Sequence, residues 1–151
     1  MLIFLVYQLH DSTVYAAVIS CVGEANCNGM DQDDMMTGDN GNNKMHARAG
    51  SDGMDGNGGN DVLDGGNGND RMNGGAGNDV MNGGAGNDVM NGNAGIDNMN
   101  GGAGNDVMAG GEGGDGMNGQ GGTDTLYGSK GADTIYGGDG DDKIYQDNDK
   151  I

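Results

Sequence analysis

The stretch that decides the fold is Gly74–Asn91, which reads GGAGNDVMN GGAGNDVMN. It is one nine-residue unit written twice. Extending the same frame forward gives GNAGIDNMN, GGAGNDVMA, GGEGGDGMN, GQGGTDTLY, GSKGADTIY and GGDGDDKIY, ending at Tyr145 without an insertion. Extending it backward gives GGNGNDRMN from Gly65, GNGGNDVLD from Gly56, ARAGSDGMD from Ala47, GDNGNNKMH from Gly38 and GMDQDDMMT from Gly29. A fixed internal period of this kind is the mark of a repeat architecture.

Thirteen units, residues 29–145, share the frame, and three columns are locked. Position four is Gly in all but one unit, the exception being Gln32. Position six is Asp in all but one, the exception being Asn43. Position eight is always apolar: Met36, Met45, Met54, Leu63, Met72, Met81, Met90, Met99, Met108, Met117, Leu126, Ile135 and Ile144.

Physical chemistry assigns these columns. Glycine at positions one and four permits backbone angles closed to other residues and brings carbonyls close to a ligand. Asn at position five (Asn60, Asn69, Asn78, Asn87, Asn105) also tolerates left-handed conformations. Positions one to six therefore read as a turn and positions seven to nine as a very short strand. Side chains alternate along a strand, so position eight points in while seven and nine point out. Two units make a coil of eighteen residues with a strand on each side, and stacked coils pair strands in parallel with a right-handed crossover. The expected fold is all-β, a right-handed parallel β-roll, of six and a half coils and on the order of 30 Å long. The expected division is an N-terminal segment 1–28, the roll 29–145 and a tail 146–151.

Composition sets the energetic problem. The chain has 151 residues, 36 Gly, no Pro, no Trp and a formal charge of −18. Low hydrophobicity with high net charge belongs to chains that stay disordered. One inward side chain per nine residues buries too little to offset the backbone entropy of so glycine-rich a chain. Without another source of stability the roll is expected not to fold. The charge should repel nucleic acid and anionic membranes and attract cations. The acids are nearly all Asp at a regular spacing, with Glu only at Glu24 and Glu112, a pattern of ligands rather than of a solvated acidic tail.

The pattern GGxGxDxUx, with U apolar, resembles the calcium-binding nonapeptide repeat of RTX proteins, whose β-rolls occur in secreted bacterial toxins, proteases, lipases and alginate epimerases. The resemblance covers about three quarters of the chain and is sharpest from Gly56 to Tyr145. It implies calcium held between the turns of units n and n+2. The ligands it implies are Asp61, Asp70, Asp79, Asp88, Asp97, Asp106, Asp115, Asp124, Asp133 and Asp142, with turn carbonyls such as those of Gly68, Gly77, Gly86 and Gly104. Asp34 and Asp52 are weaker candidates, and Gln32 and Asn43 depart from the pattern. Ten units from Gly56 onward give about eight sandwiched ions, which would bring the formal charge from −18 to −2. Asn93, Gln120 and Ser129 replace Gly at position two and are expected to strain their turns.

Other features read as structural. Nine of twelve Met residues lie in the inward column. A thioether stripe could serve Cu(I), but the column continues as Leu and Ile, which favours core filling by an adaptable side chain. Position nine carries an Asn row (Asn73, Asn82, Asn91, Asn100) and a Tyr row (Tyr127, Tyr136, Tyr145), which are either solvent-facing ladders or a surface for a glycan. There is no Thr row of the kind an ice-binding face needs. No HExxH or GxSxG motif is present and His10 and His46 stand apart, so no enzymatic activity is expected. The N-terminal MLIFLVYQLHDSTVYAAVISCVGEANC lacks the Lys or Arg and the unbroken apolar run of a signal peptide, yet Val18-Ile19-Ser20-Cys21 resembles a lipoprotein processing site and Gly23-x-Ala25 a signal-peptidase site, so it reads equally as a signal-like leader or as strands capping the roll. Cys21 and Cys27 are either a disulfide or two small apolar residues. The functional expectation is an extracellular, calcium-folded structural module coupled to secretion, with no nucleic-acid or membrane partner. Its alternatives are the C-terminal fragment of a secreted RTX enzyme or toxin, or a surface adhesion or matrix protein with a cell-surface or glycan partner.

Overall fold

In the computed structural model, residues 17–22 and 26–147 are described. The reading of 1–28 as leader or capping strands falls partly on residues 1–16 and 23–25, outside that range, as do the last four residues of the tail.

The described residues form fifteen strands in two sheets. One sheet holds β1 (Val18–Ser20), β3 (Met35–Thr37), β5 (Gly53–Asp55), β7 (Arg71–Ala76), β9 (Val89–Ala94), β11 (Val107–Glu112), β13 (Thr125–Lys130) and β15 (Lys143–Tyr145), in that order. The other holds β2 (Asn26–Asn28), β4 (Lys44–Ala49), β6 (Val62–Asn67), β8 (Val80–Ala85), β10 (Asn98–Ala103), β12 (Gly116–Gly121) and β14 (Thr134–Asp139). Every pairing is parallel, and consecutive strands alternate between the sheets. Register follows the period, with Met81 opposite Met99 and Met90 opposite Met108, eighteen residues on. The fold is thus an all-β solenoid of about seven turns.

Position eight forms the core. Met36 through Leu126 in this column are all 3% exposed or less, and Cys27, opposite Met45, begins its column. Ile135 is only partly buried and Ile144 is 47% exposed, against the inward placement expected for every member. No further coil of the described residues stacks over β15 to cover them. Position seven faces solvent, as at Val80 and Val107.

The strands are longer than the three residues expected. From β6 to β14 each spans six, running from position seven through position three of the next unit. The chain keeps pairing around the corner because position two supplies the bend. Gly66, Gly84 and Gly111 there have φ of 101, 107 and 113°. Where glycine is replaced, Asn93, Gln120 and Ser129 are held at φ 74, 72 and 69°, and so are Arg48 and Asn57 at 85 and 68°. These are the strained turns expected at position two, since a Cβ is disfavoured in the left-handed region.

Candidate metal-binding turns

Position-six aspartates run in two columns along the roll, one per unit at each corner. Asp61, Asp70, Asp79, Asp88, Asp97, Asp106, Asp115 and Asp124 are buried, and Asp133 and Asp142 are half-buried. Their two carboxylate oxygens have different fates. Oδ1 accepts a hydrogen bond from the backbone N–H of the aspartate one coil earlier: Asp70 N to Asp88 Oδ1 and Asp79 N to Asp97 Oδ1, both 2.8 Å. Oδ2 has no hydrogen-bond partner, although it is buried, at Asp52, Asp61, Asp70, Asp79, Asp88, Asp97, Asp106, Asp115, Asp124 and Asp133.

Position-one glycine explains where Oδ2 goes. A Cβ built on Gly83 would collide with Asp88 Oδ2 and with the carbonyl of Gly101 in the next coil. The same holds at Gly65 with Asp70 and Gly83. None of the position-one glycines from Gly56 to Gly137 has a left-handed φ. The sequence reading assigned this column to backbone freedom. Its requirement is instead space, because a carboxylate oxygen lies against its Cα. Position four is where freedom is needed. Gly68, Gly77, Gly86 and Gly104 have φ of 132–140°. Their carbonyls point along the roll at the position-four glycine of the next coil.

Asparagine at position five is also corrected. Asn60, Asn69, Asn78, Asn87 and Asn105 are not in the left-handed region. Each Oδ1 instead accepts the backbone N–H of position five one coil later, as from Asn87 to Asn69 at 2.7 Å and from Ile96 to Asn78 at 2.8 Å. Corner amides that no sheet can pair are thereby satisfied.

Burial is the leading cause that pushes these carboxyls up from their ordinary range, against hydrogen bonds that stabilise the anion. Asp70, Asp79 and Asp106 rise to about 6, and Asp52, Asp61, Asp88, Asp97 and Asp115 are raised as well. A carboxylate oxygen removed from water with no donor is costly unless a proton or cation meets it. Among the described residues no three His, Cys, Asp or Glu side chains converge. A cation here would therefore draw most of its ligands from backbone carbonyls, as a hard, oxygen-seeking ion can. The orphan oxygens and the carbonyl-lined corners fit such an ion.

The family described as RTX calcium-binding nonapeptide repeat (4 copies) matches residues 28–63, 55–90, 64–99, 82–117 and 118–149. The chain belongs to this family. Its repeats bind calcium, so calcium is the cation that the RTX turns take. No curated protein matches the chain.

The outer faces of the RTX roll carry the expected rows. Tyr127 and Tyr145 stack with ring centroids 4.9 Å apart. Asn73 and Asn82 donate to Asp55 and Asp64 at 3.0 and 2.9 Å. His46, which the sequence left isolated, lies 3.3 Å from Asp64 Oδ2. Cys21 and Cys27 are joined as a disulfide. No helix of the described residues is long and apolar enough to cross a membrane.

Proposed function

We propose that the chain is a structural module whose calcium-binding coils are disordered at low calcium and fold in calcium-rich extracellular medium, which couples folding to export. The observation that carries this reading is the set of ten buried Oδ2 atoms without a partner, two columns of uncompensated acceptors inside one rod. Such a stack repels itself unless it is neutralised. Asp61, Asp70, Asp79, Asp88, Asp97, Asp106, Asp115, Asp124, Asp133 and Asp142 would each give one carboxylate. Gly68, Gly77, Gly86 and Gly104 would give carbonyls, at about eight sites in all. Bound calcium would supply positive charge and cross-link successive coils. Binding free energy then becomes folding free energy. The position-one carbonyls beside Oδ2, such as that of Gly101, are additional candidates; sequence reasoning brought this column near a ligand but named ligands only at position four.

No catalytic role is proposed. Among the described residues, the histidine ion pair His46–Asp64 is a half-exposed surface contact. The test is far-UV circular dichroism during a calcium titration, with magnesium as control, since magnesium demands a tighter octahedral shell. A cooperative coil-to-β transition with calcium alone is the expected result. No change up to about 10 mM calcium, beyond the range of weak extracellular modules, would overturn the proposal.

A further inference from the structure

We propose that residues 17–22 and 26–46 form a metal-independent cap, closed by the Cys21–Cys27 disulfide, from which the calcium-dependent coils grow toward the C-terminus. The inference rests on the calcium-folding reading above. It comes from a disulfide and two turns with satisfied position-six side chains, which precede the first of the orphan carboxylates.

The first turn starts at Cys21. Its N–H donates to Thr37 O at 2.7 Å, the bond that the position-one glycine Gly38 makes to Asp55 O one coil later. Cys21 therefore stands where the other units place the glycine that packs against their aspartate. Cys27, paired with Met45, stands at position eight. The coil is one residue short, with Val18 opposite Met35, and the residue before Asn26 is Ala25 rather than Asp. A covalent link from position one to the core thus replaces the carboxylate.

The second turn keeps its aspartate but saturates it. Asp34 Oδ1 accepts from Ala17 N at 2.8 Å and Oδ2 accepts from Met30 N at 2.6 Å. The third turn has the neutral Asn43. Its Oδ1 accepts from Asp39 N at 2.9 Å and its Nδ2 donates to Asp39 Oδ1 at 3.3 Å. Starting with Asp52, every unit through Asp133 has an unpartnered Oδ2. The change is abrupt and falls between His46 and Asp52. Among the described residues on its N-terminal side, no buried carboxylate oxygen is left without a partner. On the other side every turn through that of Asp133 has one.

In a solenoid each unit contacts only its neighbours, so an ordered end unit lowers the cost of ordering the next. A short disulfide loop further restricts the unfolded ensemble at that end. The first coils to fill with calcium are then those resting on the cap.

Hydrogen exchange read by mass spectrometry on the full chain, across a calcium series, tests this. In the disulfide-bonded protein, peptides from 26–46 should be protected already without added calcium, with protection spreading toward 125–145 as calcium rises. The double variant Cys21→Ala/Cys27→Ala should need severalfold more calcium for half-protection of the body and lose the early protection of 26–46. Protection that starts at the C-terminal coils, or that rises everywhere together and is unchanged in the double variant, overturns the cap. A second variant works without touching the disulfide. Asn43→Asp sets a carboxylate against Asp39 and should remove low-calcium protection of 38–46, with recovery at high calcium. Unchanged protection there also overturns it. A wild-type chain with no protection at any calcium strikes down the calcium reading itself, which the double variant alone could not do.

Discussion

Replacing Gly86 by Ala and Gly116 by Ala changes the same residue type, three units apart, with very different expected cost. Gly86 stands at position four with φ 140°, and a Cβ there would run into the carbonyl of Gly68. Gly116 stands at position seven, and the nearest atom to its built Cβ is Asp97 O at 3.9 Å, ordinary contact. Backbone held in a glycine-only region costs about 1–3 kcal/mol, and overpacking against a fixed backbone atom costs about 1–3 kcal/mol more. Gly86→Ala should therefore cost about 4 kcal/mol. Gly116→Ala should be neutral or slightly stabilising, because it restricts only the unfolded chain. If folding is linked to about eight ions, its free energy changes by about 8RT for each e-fold change in calcium, so about 4 kcal/mol moves the midpoint roughly twofold. The assay is the circular-dichroism calcium titration of both variants beside the parent. A Gly86→Ala midpoint no higher than that of Gly116→Ala would refute the assignment of position four as a conformational and close-packing requirement.

Three further outcomes are expected. Asn87→Ala removes the acceptor for the Asn105 N–H at 2.7 Å and should lower stability by about 1 kcal/mol, whereas Asn98→Ala, with no ladder bond at position seven, should change the calcium-bound melting temperature little. The raised carboxyls give a definite pH sign for the metal-free chain. The folded form takes up protons near pH 6 at Asp70, Asp79 and Asp106, and the unfolded form only near 3.8, so this contribution is full below about pH 4 and is lost as pH rises through 6. Calcium-free spectra should then show more β-structure at pH 4.5 than at pH 7, while the calcium midpoint rises on acidification; identical calcium-free spectra would contradict the burial of these groups. Peroxide should convert the core methionines, 3% exposed or less, to sulfoxides readily in the calcium-free chain and slowly in the loaded one. Met30 and Met35, 44% and 62% exposed, should oxidise in both, as peptide mass spectrometry can read.

The candidate site was only partly legible from the sequence. The position-six aspartates were found because a column is visible whenever one residue type recurs at a fixed period. That only one of their two oxygens is satisfied was not visible, since the donor to Oδ1 comes from a backbone eighteen residues away. The same distance hid the Asn ladder. Asn at position five has a sound local explanation in turn propensity, and that explanation is superseded by a bond to the next coil. Asn43 and Gln32 marked the N-terminal units as irregular, but the pairing of Asp34 with both Met30 and Ala17 depends on how the first coil is closed.

By itself the sequence determined the nine-residue period, the inward column from Met36 onward, the parallel two-sheet arrangement and the demand for cations. These follow from local alternation and from identical units stacking on one another, so they can be read along the chain. Only the tertiary structure decided why position one is glycine, where the strands bend and end, that Cys21 and Cys27 are joined, and where the demand for cations begins. Each of these depends on which atoms of neighbouring coils meet, and that contact is set by the stacking of the rod rather than by the preference of any single residue.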